Sequence, residues 1–265
     1  MRLQLYQVDA FSSKIFSGNP AAICPLESWL DDSVLQAIAS ENNLSETAFF
    51  VPQTGGYHLR WFTPVHEVEL CGHATLATAH ILFTELGHLD SEVLFYTRSG
   101  ELKVNQSNGM LTMDFPALRC EPCDPPEALI NGLGKVPQEV FRGDDYLVVF
   151  DNEFDIKTLE PNHLFLSQLD ARGIGVTARG MDVDFVSRFF APKYGIDEDP
   201  VTGSFHCLLT PFWAERLQKS RLRARQVSRR GGELVCEWSR LNNRVLLSGQ
   251  CATYMQAQIN LCGII

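Results

Sequence analysis

The chain has 265 residues, of which 45% are apolar, 20% charged and 10% aromatic, and its 32 acidic and 22 basic side chains leave a formal net charge of −10. That length predicts one large domain or two ordinary ones, and the apolar share can build a core, which excludes disordered and fibrous classes. Basic residues gather only over 221–230, so neither a nucleic acid nor an acidic membrane is an expected partner.

Met1–Val8 alternates apolar and polar residues like a strand and lacks the apolar core of a signal peptide. No apolar run approaches the roughly 20 residues that span a bilayer. The eight cysteines are too sparse and irregular for a disulfide scaffold, which predicts reduced thiols in a cytoplasmic protein. Asp31–Asn42 is an amphipathic helix with Asp31 or Asp32 as N-cap and Val34, Leu35, Ala37 and Ile38 on one side. Thr47–Val51 and Tyr57–Phe62 flank a turn at Thr54-Gly55-Gly56 and form a hairpin. After Cys71-Gly72-His73, the segment Ala74–Leu86 is apolar on nearly every face, so it is a helix that must be enclosed, with Gly87 as C-cap.

Pro116–Pro126 holds four prolines and reads as a linker. Cys120 and Cys123 within it have metal-ligand spacing, but no second Cys/His pair follows, so no metal is expected. The segments 136–146 and 159–169 read as loops without legible specificity. Gly173–Ala178 and Val183–Phe190, joined by a turn at Arg179-Gly180, form a second hairpin. The motif Asp199-Pro200-Val201-Thr202-Gly203-Ser204 opens a second apolar helix, Ser204–Leu217, in which Pro211 predicts a kink or break. The turn Arg229-Arg230-Gly231-Gly232 is either a solvated hairpin or a site of carboxylate capture.

These elements occur twice in one order. Arg60-Trp61-Phe62-Thr63-Pro64 resembles Arg188-Phe189-Phe190-Ala191-Pro192, 128 positions on, and each proline is followed by a glycine motif and an enclosed helix. Arg98–Leu102 and Asn108–Leu111 then resemble Arg230–Leu234 and Asn243–Leu246. The expected fold class is therefore α+β, with two pseudo-symmetric half-domains, each a curled β-sheet or barrel around a central helix. The first is expected over 1–116, completed by 251–265, and the second over 117–250, with an active site in the cleft between them.

Both motifs stand where a strand gives way to a helix. A helix N-terminus offers about four unpaired N–H groups and roughly half a positive charge, a ready anion site. Gly72 and Gly203 permit close backbone approach, and Thr75, Thr202 and Ser204 add hydroxyl donors. The chemistry served is stabilisation of negative charge beside a carboxylate or carbonyl, as in proton abstraction from carbon.

Five motifs carry a resemblance to a known family. They are Gly18-Asn19-Pro20-Ala21-Ala22, Leu44-Ser45-Glu46-Thr47-Ala48-Phe49, Phe62-Thr63-Pro64, Glu69–Thr75 and Glu198–Ser204. Together, and over about residues 5–250, the chain resembles the PhzF (phenazine-biosynthesis isomerase-like) family, whose fold is that of diaminopimelate epimerase. The resemblance implies a cofactor-independent, homodimeric isomerase in which one glutamate moves a proton between carbons. That glutamate maps to Glu46, with His73, Asp199 and Ser204 shaping its surroundings and Asn19, Gly72, Thr75, Thr202 and Gly203 binding a small anionic substrate. Broader epimerase relatives place a cysteine at each helix start. Here Cys71 holds the first position and Asp199-Pro200 the second, which disfavours a two-thiol racemisation.

Each residue also has a plainer reading. Glu46 alone would be a solvated strand residue, His73 a helix-capping or core histidine, Asp199 and Ser204 caps, and Cys71 a small buried hydrophobe. If half-buried, Glu46 gains a carboxyl pKa nearer the useful range. At a helix N-terminus, His73 is expected to be neutral. The alternatives to the isomerase are an epimerase or racemase using Cys71, and a catalytically silent small-anion-binding protein on the same fold.

Overall fold

The computed structural model describes residues 1–261. It divides into two compact units, Met1–Asp114 with the segment from Ser248 onward, and Phe115–Leu247.

In the first unit the elements are β1 (Arg2–Ala10), β2 (Asn19–Pro25), α1 (Asp32–Asn42), β3 (Glu46–Gln53), β4 (Gly56–Phe62), β5 (Glu67–Val68), α2 (Gly72–Thr84), β6 (Glu92–Thr97), β7 (Gly100–Ser107) and β8 (Met110–Pro116). Strand β1 pairs antiparallel with β2, β2 parallel with β3 from Ala21 opposite Glu46, and β3 antiparallel with β4. The ladder continues with β4 parallel to β6, then β6–β7 and β7–β8 antiparallel, while β5 adds to β4.

The second unit runs β9 (Glu121–Pro122), α3 (Glu127–Leu133), β10 (Glu139–Arg142), β11 (Tyr146–Val149), α4 (Glu153–Lys157), α5 (His163–Leu166), β12 (Ile174–Arg179), β13 (Phe185–Ala191), β14 (Ile196–Asp199), α6 (Gly203–Leu217), β15 (Arg221–Gln226), β16 (Gly232–Ser239) and β17 (Arg244–Gly249). Its ladder repeats the same sequence of directions. β10–β11 is antiparallel, β11–β12 parallel, β12–β13 antiparallel, β13–β15 parallel and β15–β16 antiparallel, with β14 on β13. The final strand, β18 (Cys251–Asn260), returns to the first unit and pairs antiparallel with β1, from Arg2 opposite Asn260 to Ala10 opposite Cys251.

The repeat extends to side chains. Arg60 forks onto Glu67 with two bonds of 2.8 Å and lies 5.1 Å from the Phe62 ring. Arg188 forks onto Glu198 at 2.7 and 3.0 Å and lies 5.0 Å from the Phe190 ring. A planar guanidinium satisfied at once by a carboxylate fork and an aromatic face is a demanding arrangement, and both copies keep it.

Each unit is built around its apolar helix. In α2 every side chain from His73 to Ala79 is buried, with Ile81 and Leu82, and the helix packs on β1, β2 and β3. It starts two residues earlier than expected, and Gly87, at φ +71°, turns the chain beyond its end. From α6 the Trp213 ring stacks on Phe185 of β13 at 6.0 Å, and its indole N–H donates to Thr177 Oγ1 of β12 at 2.9 Å.

Several expectations are corrected. Pro211 does not break α6. Proline removes the N–H that would reach the Cys207 carbonyl, but the Leu118 backbone N–H donates to that oxygen at 3.1 Å instead. Asp31 is the N-cap residue of α1 but makes no side-chain cap, while Asp32 pairs with Arg60 at 2.9 Å. The buried face of α1 is Leu35, Ile38 and Ala39; Ala37 is exposed. The segments read as loops contain β10 and α5, and the proline-rich segment contributes β9.

Candidate active site

Glu46 is the first residue of β3 and His73 the second of α2, so the parallel strand β2–β3 pair and the enclosed helix bring them together. Glu46 Oε2 stands 3.2 Å from His73 Nε2, with the Glu46 side chain only 16% exposed. On the far side of the ring, His73 Nδ1 is 3.6 Å from Cys71 Sγ. The imidazole thus bridges a carboxylate and a thiol. Neither Glu46 Oε2 nor His73 Nε2 is reached by solvent, and their mutual angle falls short of a hydrogen bond.

Burial disfavours the imidazolium form of His73, but the Cys71 sulfur and the Glu46 carboxylate outweigh it and hold the ring well above the ordinary histidine range. That direction is opposite to the lowering expected at a helix N-terminus, because a carboxylate 3.2 Å away acts against the helix dipole. Burial, reinforced by Glu46, pushes the Cys71 thiol up, so the helix start does not activate it as a thiolate.

Glu46, Cys71 and His73 are a group of three potential metal ligands whose donor atoms lie within 4.8 Å of one another. His73, however, turns a different nitrogen to each partner. That suits proton transfer along the ring better than one shared ion, which takes a single nitrogen from a histidine.

The remaining residues of the first unit divide. Asn19 is fully buried at the start of β2, two positions ahead of the residue that faces Glu46. Gly72 opens α2 and keeps partial exposure. Thr75 is fully buried and its hydroxyl donates to the Cys71 carbonyl at 2.6 Å. It braces the first turn of α2, which corrects its expected part as a donor to substrate.

The second unit collects the other motif. Thr202 is the N-cap residue of α6, and its hydroxyl donates to Asp199 Oδ2 at 2.5 Å. Gln226, fully buried at the end of β15, accepts from the Thr202 N–H at 2.9 Å and donates to the Asp199 carbonyl at 2.7 Å. The side chain of Asp199 is thereby oriented by the loop rather than capping α6. Gly203 and Ser204 begin the helix with partial exposure, and Ser204 Oγ accepts from Arg172 Nη1 at 2.9 Å. Arg172 is held in turn by Asp145. The basic turn is anchored beside this motif, since the Ser228 hydroxyl donates to the Pro200 carbonyl at 2.8 Å.

Sequence reading missed Gln226, Arg172 and Asp145. The repeat held a signal for Arg172, which precedes the strand equivalent to the one that Glu46 begins. Cys120 and Cys123 flank β9 apart from both groups, and burial pushes the Cys120 thiol up to about 11.

No helix among the described residues is long and apolar enough to cross a membrane. The family model for phenazine biosynthesis-like protein matches residues 8–257. An uncharacterized isomerase of Pseudomonas aeruginosa is 53% identical, across 98% of this chain and all of that protein. The human phenazine biosynthesis-like domain-containing protein is 37% identical over 98% of this chain and 99% of its own. A crystal structure of a PhzF-family protein from Enterococcus faecalis superposes with a TM-score of 0.96 at 43% identity, covering 98% of this chain and all of that one. With a ladder built twice and these relatives, the chain belongs to the phenazine biosynthesis-like (PhzF) family and is an enzyme of the isomerase type.

Proposed function

We propose that the protein is a cofactor-independent isomerase that moves a proton between two carbons of a small carboxylate substrate, with Glu46 as its acid/base group. The observation that carries this reading is the Glu46–His73 contact. Oε2 is buried against the imidazole at 3.2 Å, which leaves Oε1 as the oxygen to meet substrate. Glu46 Oε1 takes the proton, and the electrons of the C–H bond pass into the adjoining carboxylate or conjugated system. The same oxygen then returns the proton at a second carbon, so the reaction needs no oxidant or reductant. His73, 3.2 Å from Oε2, favours the Glu46 carboxylate that begins and ends the cycle; between the two transfers Glu46 holds the proton and the negative charge lies on the substrate. Ser204 and the first-turn N–H groups of α6 take substrate oxygens, with Thr202 and Asp199 shaping that end. The family resemblance supports a homodimer as the working form.

The test is deuterium uptake from solvent by a panel of small amino and unsaturated carboxylates. Glu46→Gln should lower exchange by about 100- to 10,000-fold, the range for losing a positioned acid/base group. Equal exchange by both proteins removes Glu46 from the role. Binding of panel members with no exchange by the unaltered protein would instead favour a silent anion-binding protein.

A second reading rests on Cys71 Sγ lying 3.6 Å from His73. If an epimerase uses this thiol as one of two bases, Cys71→Ser abolishes exchange and Glu46→Gln spares it. The raised Cys71 thiol and the absence of a cysteine at the start of α6 favour the first reading.

A further inference from the structure

Arg172 and Asp145 have no part in the chemistry described above, yet they form an ion pair with a costly setting. The Asp145 side chain is 2% exposed, and it accepts from Arg172 Nε at 2.9 Å and from Nη2. The guanidinium also lies 5.7 Å from the Phe189 ring. The backbone around the pair is already joined without it, since Arg172 N–H donates to the Asp144 carbonyl at 3.0 Å and Tyr146 N–H to the Gly173 carbonyl at 2.9 Å. The Asp145 side chain is buried while that of Arg172 is 44% exposed, so the pair holds a guanidinium at the edge of the fold with part of it open to a further acceptor.

What the clamp leaves available is one nitrogen, Nη1, and that nitrogen donates to Ser204 Oγ at 2.9 Å. A guanidinium has donors only, so the serine oxygen must accept there and its one hydrogen must point elsewhere. The repeat gives this contact a counterpart. Glu46, at the start of β3, reaches the second residue of α2, and Arg172, two residues ahead of β12, reaches the second residue of α6. The two contacts are similar without sharing a position, since Glu46 corresponds to Ile174: a carboxylate meets the helix start in the first unit, and a cation from two residues upstream meets it in the second.

We propose that Arg172, clamped by Asp145 and Phe189, is a positioning residue that occupies one lone pair of Ser204 and so turns the serine hydrogen away from itself, toward a substrate oxygen. The proposal rests on the reading above, in which Ser204 contacts substrate. A hydroxyl free to rotate could turn its hydrogen in any direction; one that already accepts from Arg172 keeps its hydrogen and one lone pair for other partners, and the nearby guanidinium charge favours an anionic oxygen, carboxylate or enolate, over a ligand N–H there.

A double-mutant cycle tests this on whichever panel member the unaltered protein exchanges. Ser204→Ala and Arg172→Gln should each lower kcat/KM by about 10- to 100-fold, the scale of one hydrogen bond to a charged group. The Arg172→Gln/Ser204→Ala protein should lose no more than Ser204→Ala alone, because both changes remove one interaction. Arg172→Gln combined with Asp145→Asn avoids a buried unpaired carboxylate, and it should show the same loss with an unchanged unfolding midpoint. Losses that multiply, or an Arg172→Gln protein with full activity beside an impaired Ser204→Ala, overturn the proposal while Glu46 keeps its role. Full activity of Ser204→Ala also overturns it, through the placement of Ser204 at substrate. No exchange by the unaltered protein sinks this proposal and the isomerase reading together.

Discussion

His206 offers a measurement of what α6 stores in its core. The ring is fully buried, with Nδ1 2.8 Å from the Thr202 carbonyl and the Phe185 ring 5.9 Å away. A carbonyl only accepts, so Nδ1 carries the hydrogen and Nε2 is left with a lone pair that has no hydrogen-bond partner among the described residues. Burial lowers the pKa from 6.5 to about 4, with the Thr202 carbonyl opposing weakly. The unfolded chain therefore binds a proton between about pH 6.5 and about pH 4 that the folded chain refuses. Stability attributable to this ring is complete above that window and is lost as pH falls through it. A difference of about 2.5 units corresponds to about 3 kcal/mol in full, and about 2 kcal/mol is gone by pH 5. Urea unfolding followed by tryptophan fluorescence suits the assay, because Trp213 stacks on Phe185 beside this ring. His206→Gln keeps an N–H for Thr202 and cannot titrate. Between pH 7 and pH 5 the unaltered protein should lose about 2 kcal/mol more than His206→Gln. Equal losses in the two proteins would refute the assignment of a neutral buried ring.

Two further outcomes follow from packing. A Cβ on Gly175 would meet Phe205 ring atoms at 1.9, 2.2 and 2.4 Å in the core, so Gly175→Ala should lower stability by about 1–3 kcal/mol, and adding Phe205→Leu should recover part of it in the same urea assay. Because Leu118 already serves the Cys207 carbonyl, Pro211→Ala should change stability by less than about 1 kcal/mol, against the roughly 3 kcal/mol that proline costs inside an ordinary helix; a gain near the full amount would show that the substitute bond has little value.

The sequence revealed most where the signal was local or repeated. Alternation over Thr47–Phe62, the unbroken apolar face of α2 and the spaced copies Arg60 and Arg188 each gave an element or a correspondence that the structure contains. It failed where a distant partner decides. Pro211 reads as a helix breaker until the Leu118 N–H is known to lie against it. Ala37 and Ala39 are equal candidates for the core until α1 is laid on its sheet. The charge of His73 depends on Glu46, 27 positions earlier, and the polarity of Ser204 depends on Arg172. Proximity in sequence gives no hint of either contact; only the order of strands does.

The pairing of Arg2 with Asn260 sets a timetable for synthesis. Residues 115–247 form a continuous stretch that can pack on itself once it has left the ribosome, whereas β1 meets its β18 neighbour only after that whole stretch and residues 251–260 have been made. The half that carries Glu46 and His73 therefore waits as a nascent chain with one flank of β1 unpaired, while the other half can already have reached its native state. Deletion of residues 251–260 should accordingly spare the central segment and leave Glu46 and His73 without a finished scaffold, and chaperone demand should fall on the amino-terminal portion of the newborn polypeptide.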